Sequence, residues 1–130
     1  LNLTANWRLI RAMDPLLRAA EAGRAIFVTD ALAREPLPYY GPYAVAKAGL
    51  EALVRIYAGE IAHTRVRANL LDPGIVRSRL RTRIFPGEDP APLPPPASVA
   101  DAFLELAEPE CTRNGEIVPA AAGRAAQPRA

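Results

Sequence analysis

Residues 42–74 read PYAVAKAGLEALVRIYAGEIAHTRVRANLLDPG, and a change of period inside this stretch decides the fold class. From about Pro42 to His63 the apolar residues Leu50, Leu53, Val54, Tyr57 and Ile61 recur at three- and four-residue steps, which predicts a long amphipathic helix. Val66 to Leu71 is then a short apolar run of the kind that forms a strand covered on both faces, stopped by Asp72-Pro73-Gly74. Upstream, Ala25-Ile26-Phe27-Val28-Thr29 is a second run of the same kind. Residues 30–42, with Pro36, Pro38, Gly41 and Pro42, make the loop that joins it to the helix.

The same reading extends to both ends. Leu3, Trp7, Ile10, Met13, Leu16 and Leu17 place an amphipathic helix over Leu1 to about Ala22, ended by Gly23, with Pro15 a point where it would kink. Downstream come an Arg-rich stretch, a proline-dense segment from Pro86 to Pro96, a helix from about Ser98 to Glu108 and a short strand at 115–118. Residues 119–130, made of Ala, Gly, Arg, Pro and Gln, read as a frayed tail. Alternating helix and strand over residues 1–118 predicts an α/β fold, a parallel sheet flanked by helices. Ligands of such sheets sit beyond the carboxyl ends of the strands, so chemistry is expected in the loops after Thr29 and Leu71.

Composition narrows the function classes. The 130 residues are half apolar and 23% charged, as in one globular domain or part of one. Sixteen basic residues against fourteen acidic ones give a formal charge of +2, too balanced to require a polyanionic partner. No apolar run approaches the ~20 residues of a membrane span, and the start lacks the order of a secretory signal, so no membrane association is expected. Cys111 is the one cysteine, which excludes an intrachain disulfide and a cysteine zinc site and makes the cytoplasm the default expectation. Arg77, Arg79, Arg81 and Arg83 alternate without interleaved aromatics, the pattern of a solvated or substrate-loop face rather than of nucleic-acid binding. His63 has no second histidine with which to hold a metal. Ser98 with Asp101 reads as a helix N-cap with an acidic third position, and Trp7 as core or interface. The chain opens on Leu1 and its one methionine is Met13, so it is expected to be a piece of something longer.

Fifteen of the sixteen basic residues are Arg; Lys47 is the exception. It stands four residues after Tyr43, near the start of the long helix. That spacing puts both side chains on one face, with Cβ atoms about 5–6 Å apart. A phenol that ionises near neutrality needs roughly three units of depression, about 4 kcal/mol. One cation about 5 Å away at an effective dielectric of 20 supplies about 3 kcal/mol, and the positive end of the helix adds to it. Tyr43 is therefore expected to be acidic enough to donate or accept a proton. Tyr-x-x-x-Lys occurs by chance on many helices; the strand-loop-helix context and the Pro73-Gly74 turn after the next strand make it more specific.

Tyr43-Ala44-Val45-Ala46-Lys47-Ala48-Gly49-Leu50, the segment from Val66 through Asn69, Pro73, Gly74 and Val76 to Ser78, and Leu1-Asn2-Leu3-Thr4 together resemble the short-chain dehydrogenase/reductase family, over Leu1 to about Val118. The resemblance implies the C-terminal half of a Rossmann-type domain. It also implies an oxidoreductase that uses NAD or NADP to interconvert a small-molecule carbonyl and its alcohol. Tyr43 would exchange the proton with the substrate oxygen, and Lys47 would hold the nicotinamide ribose and lower the tyrosine pKa. Asn2 falls where the family has an asparagine that organises a relay water. Pro73, Gly74, Val76 and Ser78 match the segment that approaches the carboxamide, with Ser78 where Thr is usual. Arg79 to about Pro96 corresponds to the variable substrate-binding loop. In the family the helices matching residues 1–22 and 42–63 commonly pair between subunits, so a homo-oligomer is expected, with Leu50, Val54, Tyr57 and Ile61 partly interfacial.

Two departures from the family pattern stand out. Its active-site serine, thirteen residues before the tyrosine, is here Asp30, preceded by Thr29. A carboxylate cannot donate to a developing alkoxide unless protonated, and its charge opposes that of the lysine. Three outcomes are open: Asp30 protonated by burial, Thr29 acting through a local shift, or an inactive site. The glycine-rich turn that cradles a cofactor pyrophosphate is also missing, as is the residue that would choose NAD or NADP. The isolated chain is thus expected to be inactive and a longer parent to be the enzyme. The alternative is a catalytically silent scaffold that acts through oligomer contacts.

Overall fold

The computed structural model describes residues 2–120. Strand β2 (Arg67–Asp72) is its centre, flanked by β1 (Arg24–Val28) and β3 (Ile117–Pro119) in a parallel sheet of order β1-β2-β3. The register sets Arg24 against Arg67 and Val28 against Leu71 on one side of β2, and Leu70 against Ile117 on the other. Successive strand residues point to opposite faces. Ala68 and Leu70, with Ala25 and Phe27, therefore pack against α1 (Thr4–Ala19) and α2 (Gly41–Glu60), whereas Leu71 and Ile26 pack against Phe103 and Leu106 of α4 (Ala100–Ala107). This is half of a helix-sheet-helix sandwich, as the alternation predicts.

Several expectations need correction. Only β2 is buried along its length; β1 is half-buried and Val28 is exposed, because β1 is an edge strand among the described residues. Leu50, Val54, Tyr57 and Ile61 are at most 3% exposed and make the core beneath α2, so they are not interfacial. The apolar face that α1 and α2 leave open runs instead through Trp7, Leu53 and Ile56, with Trp7 45% exposed and outside the core. Pro15 lies inside α1 without ending it. Gly23 is obligatory after that helix, since a Cβ there would lie 2.4 Å from the Leu17 carbonyl oxygen.

The segment after β2 contains a helix that the sequence reading left out. α3 (Arg79–Ile84) starts at Ser78, whose Oγ accepts from the Arg81 amide at 3.0 Å. Arg81 also makes a two-point ion pair with Glu88, at 2.8 and 2.9 Å, and lies over the Phe85 ring. Ser98 does not cap α4: a 3₁₀ turn over Pro96–Val99 precedes that helix, and the Ser98 hydroxyl donates back to the Pro95 carbonyl. His63 is exposed in the turn after α2, and Cys111 is half-buried beside Leu71, Leu106 and Val118. Of the predicted tail, Pro119 belongs to β3 and residues 121–130 lie outside the described residues.

Candidate active site

The carboxyl ends of β1 and β2 open onto the N-terminal turns of α2, and most of the residues singled out from the sequence are found there. β1 delivers Thr29 and Asp30. The Asp30 carboxylate caps the 3₁₀ turn Ala31–Ala33, accepting from the Leu32 amide at 2.9 Å. Its second oxygen accepts from the Tyr43 hydroxyl at 3.2 Å. Tyr43 is the third residue of α2, just after Pro42 at a position where a missing N–H costs nothing. Lys47 follows one turn later, its Nζ 5.8 Å from the centre of the Tyr43 ring and donating to the Val28 carbonyl at 3.0 Å. Asp30, Tyr43 and Lys47 thus form one half-buried cluster at the strand ends.

The electrostatics of this cluster differ from the sequence expectation. The Tyr43 phenol is not acidified: its pKa is pushed up to about 12 by burial, by the negative charge and hydrogen bond of Asp30, and by the charge of Asp72. Lys47 does sit on the same face, but burial first, and then two carboxylates, raise the phenol pKa instead. Burial lowers the Lys47 pKa, while Asp30 acts in the opposite direction. At neutral pH Tyr43 is a phenol handing its hydrogen to a carboxylate. Thr29 offers no replacement for a serine, because its hydroxyl is 2% exposed as a residue and donates to Glu51 Oε1 at 2.6 Å.

The turn after β2 presents its backbone beside this cluster. Asp72 ends the strand, and its Oδ1 accepts from the Gly74 amide at 3.0 Å, folding the chain at Pro73. Gly74 has φ +68°, a conformation that a side chain disfavours, with open space around it. Val76 is half-buried and Ser78 caps α3. Asn2 lies in the exposed turn before α1, where its carbonyl accepts from the Asn6 side chain; among the described residues its own side chain has no hydrogen bond to Asp30, Tyr43 or Lys47.

The structure adds three residues that sequence reasoning missed. Glu51 is 4% exposed, one turn beyond Lys47, and Arg34 bridges it to Asp72. The available signal was spacing: Glu51 extends the i, i+4, i+8 stripe begun by Tyr43 and Lys47, and it interrupts an otherwise apolar face.

This geometry suits a nicotinamide end of a cofactor. Lys47 has three N–H donors, of which Val28 takes one, and the bare Gly74 turn lets a flat group approach the backbone. No stretch of the sequence has the glycine-rich pattern needed for the pyrophosphate.

Comparison with known proteins gives the family and the fold. The family profile described as enoyl-(acyl carrier protein) reductase matches residues 1–92. Escherichia coli K12 YciK, an uncharacterized oxidoreductase, is 33% identical over 105 residues, covering 81% of this chain and 41% of YciK. Bovine dehydrogenase/reductase SDR family member 4 is 34% identical over 90 residues, covering 69% of this chain and 32% of that protein. Among solved structures, a short-chain dehydrogenase from Escherichia coli CFT073 complexed with NADPH superposes with a TM-score of 0.86 at 31% identity, over 92% of this chain and 50% of that one. The chain therefore spans half or less of the length of these relatives.

Proposed function

Because the chain belongs to the short-chain dehydrogenase/reductase family, we propose that it is the catalytic half of an NADP(H)-dependent carbonyl reductase. Tyr43 is the proton donor. The observation that carries this reading is the Asp30–Tyr43–Lys47 cluster at the strand ends, with a phenol that keeps its proton up to about pH 12. NADP(H) is chosen over NAD(H) on the NADPH complex of the solved relative.

When bound, the nicotinamide supplies hydride to the carbonyl carbon. Lys47 would hold the ribose hydroxyls with the N–H groups that Val28 leaves over, and the segment Pro73, Gly74, Val76 and Ser78 would offer backbone and hydroxyl groups to the carboxamide. Tyr43 gives its hydroxyl proton to the substrate oxygen, and Lys47 stabilises the phenolate left behind. Burial first, then Asp30 and Asp72, weaken Tyr43 as an acid, together by up to about a hundredfold against an ordinary phenol. The same shift keeps the resting phenol in the form that carbonyl reduction starts from: the phenolate that would act as base in alcohol oxidation is about one part in 10⁵ at pH 7. Asn2 would serve only by ordering a relay water, and the segment after Ser78 would close over a small carbonyl compound.

The groove lined by Leu3, Trp7, Gly49, Leu53 and Ile56 is the surface we assign to a second copy of the chain, which makes the protein a homo-oligomer. A second reading, a catalytically silent scaffold, draws on the raised Tyr43 and its bond to Asp30. Joining the chain to the nucleotide-binding first half of the NADPH-binding relative separates the two. The reductase reading expects NADPH oxidation with a panel of aldehydes and ketones; the scaffold reading expects a stable oligomer with none.

A further inference from the structure

Arg34 stands just after the 3₁₀ turn that Asp30 caps, and its guanidinium joins two carboxylates from different elements. Nη1 pairs with Glu51 Oε1 of α2, and Nη2 lies 2.5 Å from Asp72 Oδ2 at the end of β2. The two carboxylate side chains are 5% and 14% exposed, and Arg34, 37% exposed, reaches both from the surface. A carboxylate as buried as Glu51 is tolerated only with partners, and it has two on one oxygen, Arg34 and the Thr29 hydroxyl. Asp72 spends its other oxygen on the Gly74 amide. An unbroken chain of charge-assisted hydrogen bonds therefore runs from α2, through Glu51, Arg34 and Asp72, to the backbone of Gly74.

We propose that Arg34 is a positioning residue: it fixes the Pro73-Gly74 turn relative to the helix face that carries Tyr43 and Lys47. Its importance for the reaction rests on the reductase reading above; the clamp itself rests on the contacts. Tyr43, Lys47 and Glu51 occupy one stripe of α2 at four-residue steps, so what holds Glu51 to Asp72 also sets the distance between the proton donor and the turn. The planar fork of an arginine reaches two carboxylates at once, which a lysine does in one direction only. Arg34 also supplies the counter-charge for Asp72, whose field acts on the Tyr43 phenol.

The test is amide hydrogen exchange and tyrosine ring resonances by NMR on the full chain, for Arg34→Met and Arg34→Lys. Arg34→Met is expected to speed Gly74 exchange at least tenfold and to shift the Tyr43 ring signals. The Leu70 amide, bonded to the Glu116 carbonyl, keeps its protection. Arg34→Lys falls between Arg34→Met and the parent chain. Gly74 exchange within twofold of the parent in Arg34→Met, with the Leu70 amide still protected, would overturn the proposal. Should Arg34→Met unfold because Glu51 is left unpaired, Arg34→Met with Glu51→Gln removes that charge and is read the same way; unfolding of this double variant too would mean that Arg34 maintains the fold and does not position the turn. None of these readouts needs cofactor or turnover. A loosened Gly74, with no reductase activity once the chain is joined to the nucleotide-binding half, therefore sinks the reductase reading and keeps the clamp, and an unmoved Gly74 with an active joined protein sinks the clamp alone.

Discussion

The carboxylate of Asp30 accepts the very hydrogen that Tyr43 would offer to a substrate oxygen. Asp30→Ser removes both the charge and the acceptor and leaves a hydroxyl that can donate. The Tyr43 pKa is expected to fall part of the way from about 12, since burial still raises it, and carbonyl reduction by the chain joined to a nucleotide-binding half to rise by a few-fold, roughly up to tenfold. Titration of a ¹³Cζ-labelled tyrosine and NADPH oxidation rates check the two halves separately; an unmoved Tyr43 would show that Asp30 is not its controlling neighbour. The pH dependence of stability follows from the same shift. Between pH 10 and 12 the folded chain still binds a proton that the unfolded chain has released, so the contribution is full below pH 10 and is lost as pH rises through that window. Urea midpoints measured against pH are expected to fall there, and to fall less in Asp30→Ser. The pairing of Tyr43 with Lys47 was legible in the sequence because it is a four-residue spacing on one helix. The sign of the Tyr43 shift was not, because Asp72 reaches it from another strand end and burial enters through packing.

At the scale of elements, one arginine ties the last helix to the sheet. Arg24 of β1 donates to the carbonyls of Glu108 and Pro109 at the end of α4, and to those of Cys111, Gly23 and Arg65. Arg24→Met strands these acceptors and is expected to cost about 2 kcal/mol, seen as a lower urea midpoint, with Arg24→Lys recovering only part. An unchanged midpoint would mean that solvent replaces all five bonds. α1, α2 and β2 could be read from the sequence because each is long or strongly periodic. α3 could not: its six residues carry alternating arginines and offer only Leu80 and Ile84, both exposed, as an apolar pair, and what holds it is Ser78 at its start and the Arg81–Glu88 pair across a bend. Ser98 misled because a cap pattern is local, while the prolines before it carry the backbone into a 3₁₀ turn. Glu51 was marked in the sequence only by its spacing from Tyr43 and Lys47; its role emerges once Arg34 and Thr29 are seen beside it.

For the whole molecule, the surfaces left open are as informative as those closed. The groove between α1 and α2 leaves Trp7 and Ile56 exposed on an apolar face, the expected seat of a second copy. Ile56→Glu places a charge at its centre and is expected to lower the assembly state in sedimentation without unfolding the chain, since Ile56 is 61% exposed and outside the core. Sedimentation unchanged by Ile56→Glu would place self-association elsewhere. Gly49 belongs to the same groove, where a Cβ would press on Leu3 at 3.0 Å. The chain covers only 41% and 50% of these two relatives, and β1 pairs on one side only among the described residues, so a complete nucleotide site would require further strands at that edge. The most direct test of the account is NADPH oxidation by the chain joined to the first half of the NADPH-binding relative, measured with and without Tyr43→Phe. The account expects carbonyl-dependent turnover that falls by two to four orders of magnitude, roughly the worth of a general acid, while the fold and cofactor affinity persist. Turnover undiminished by Tyr43→Phe would contradict it.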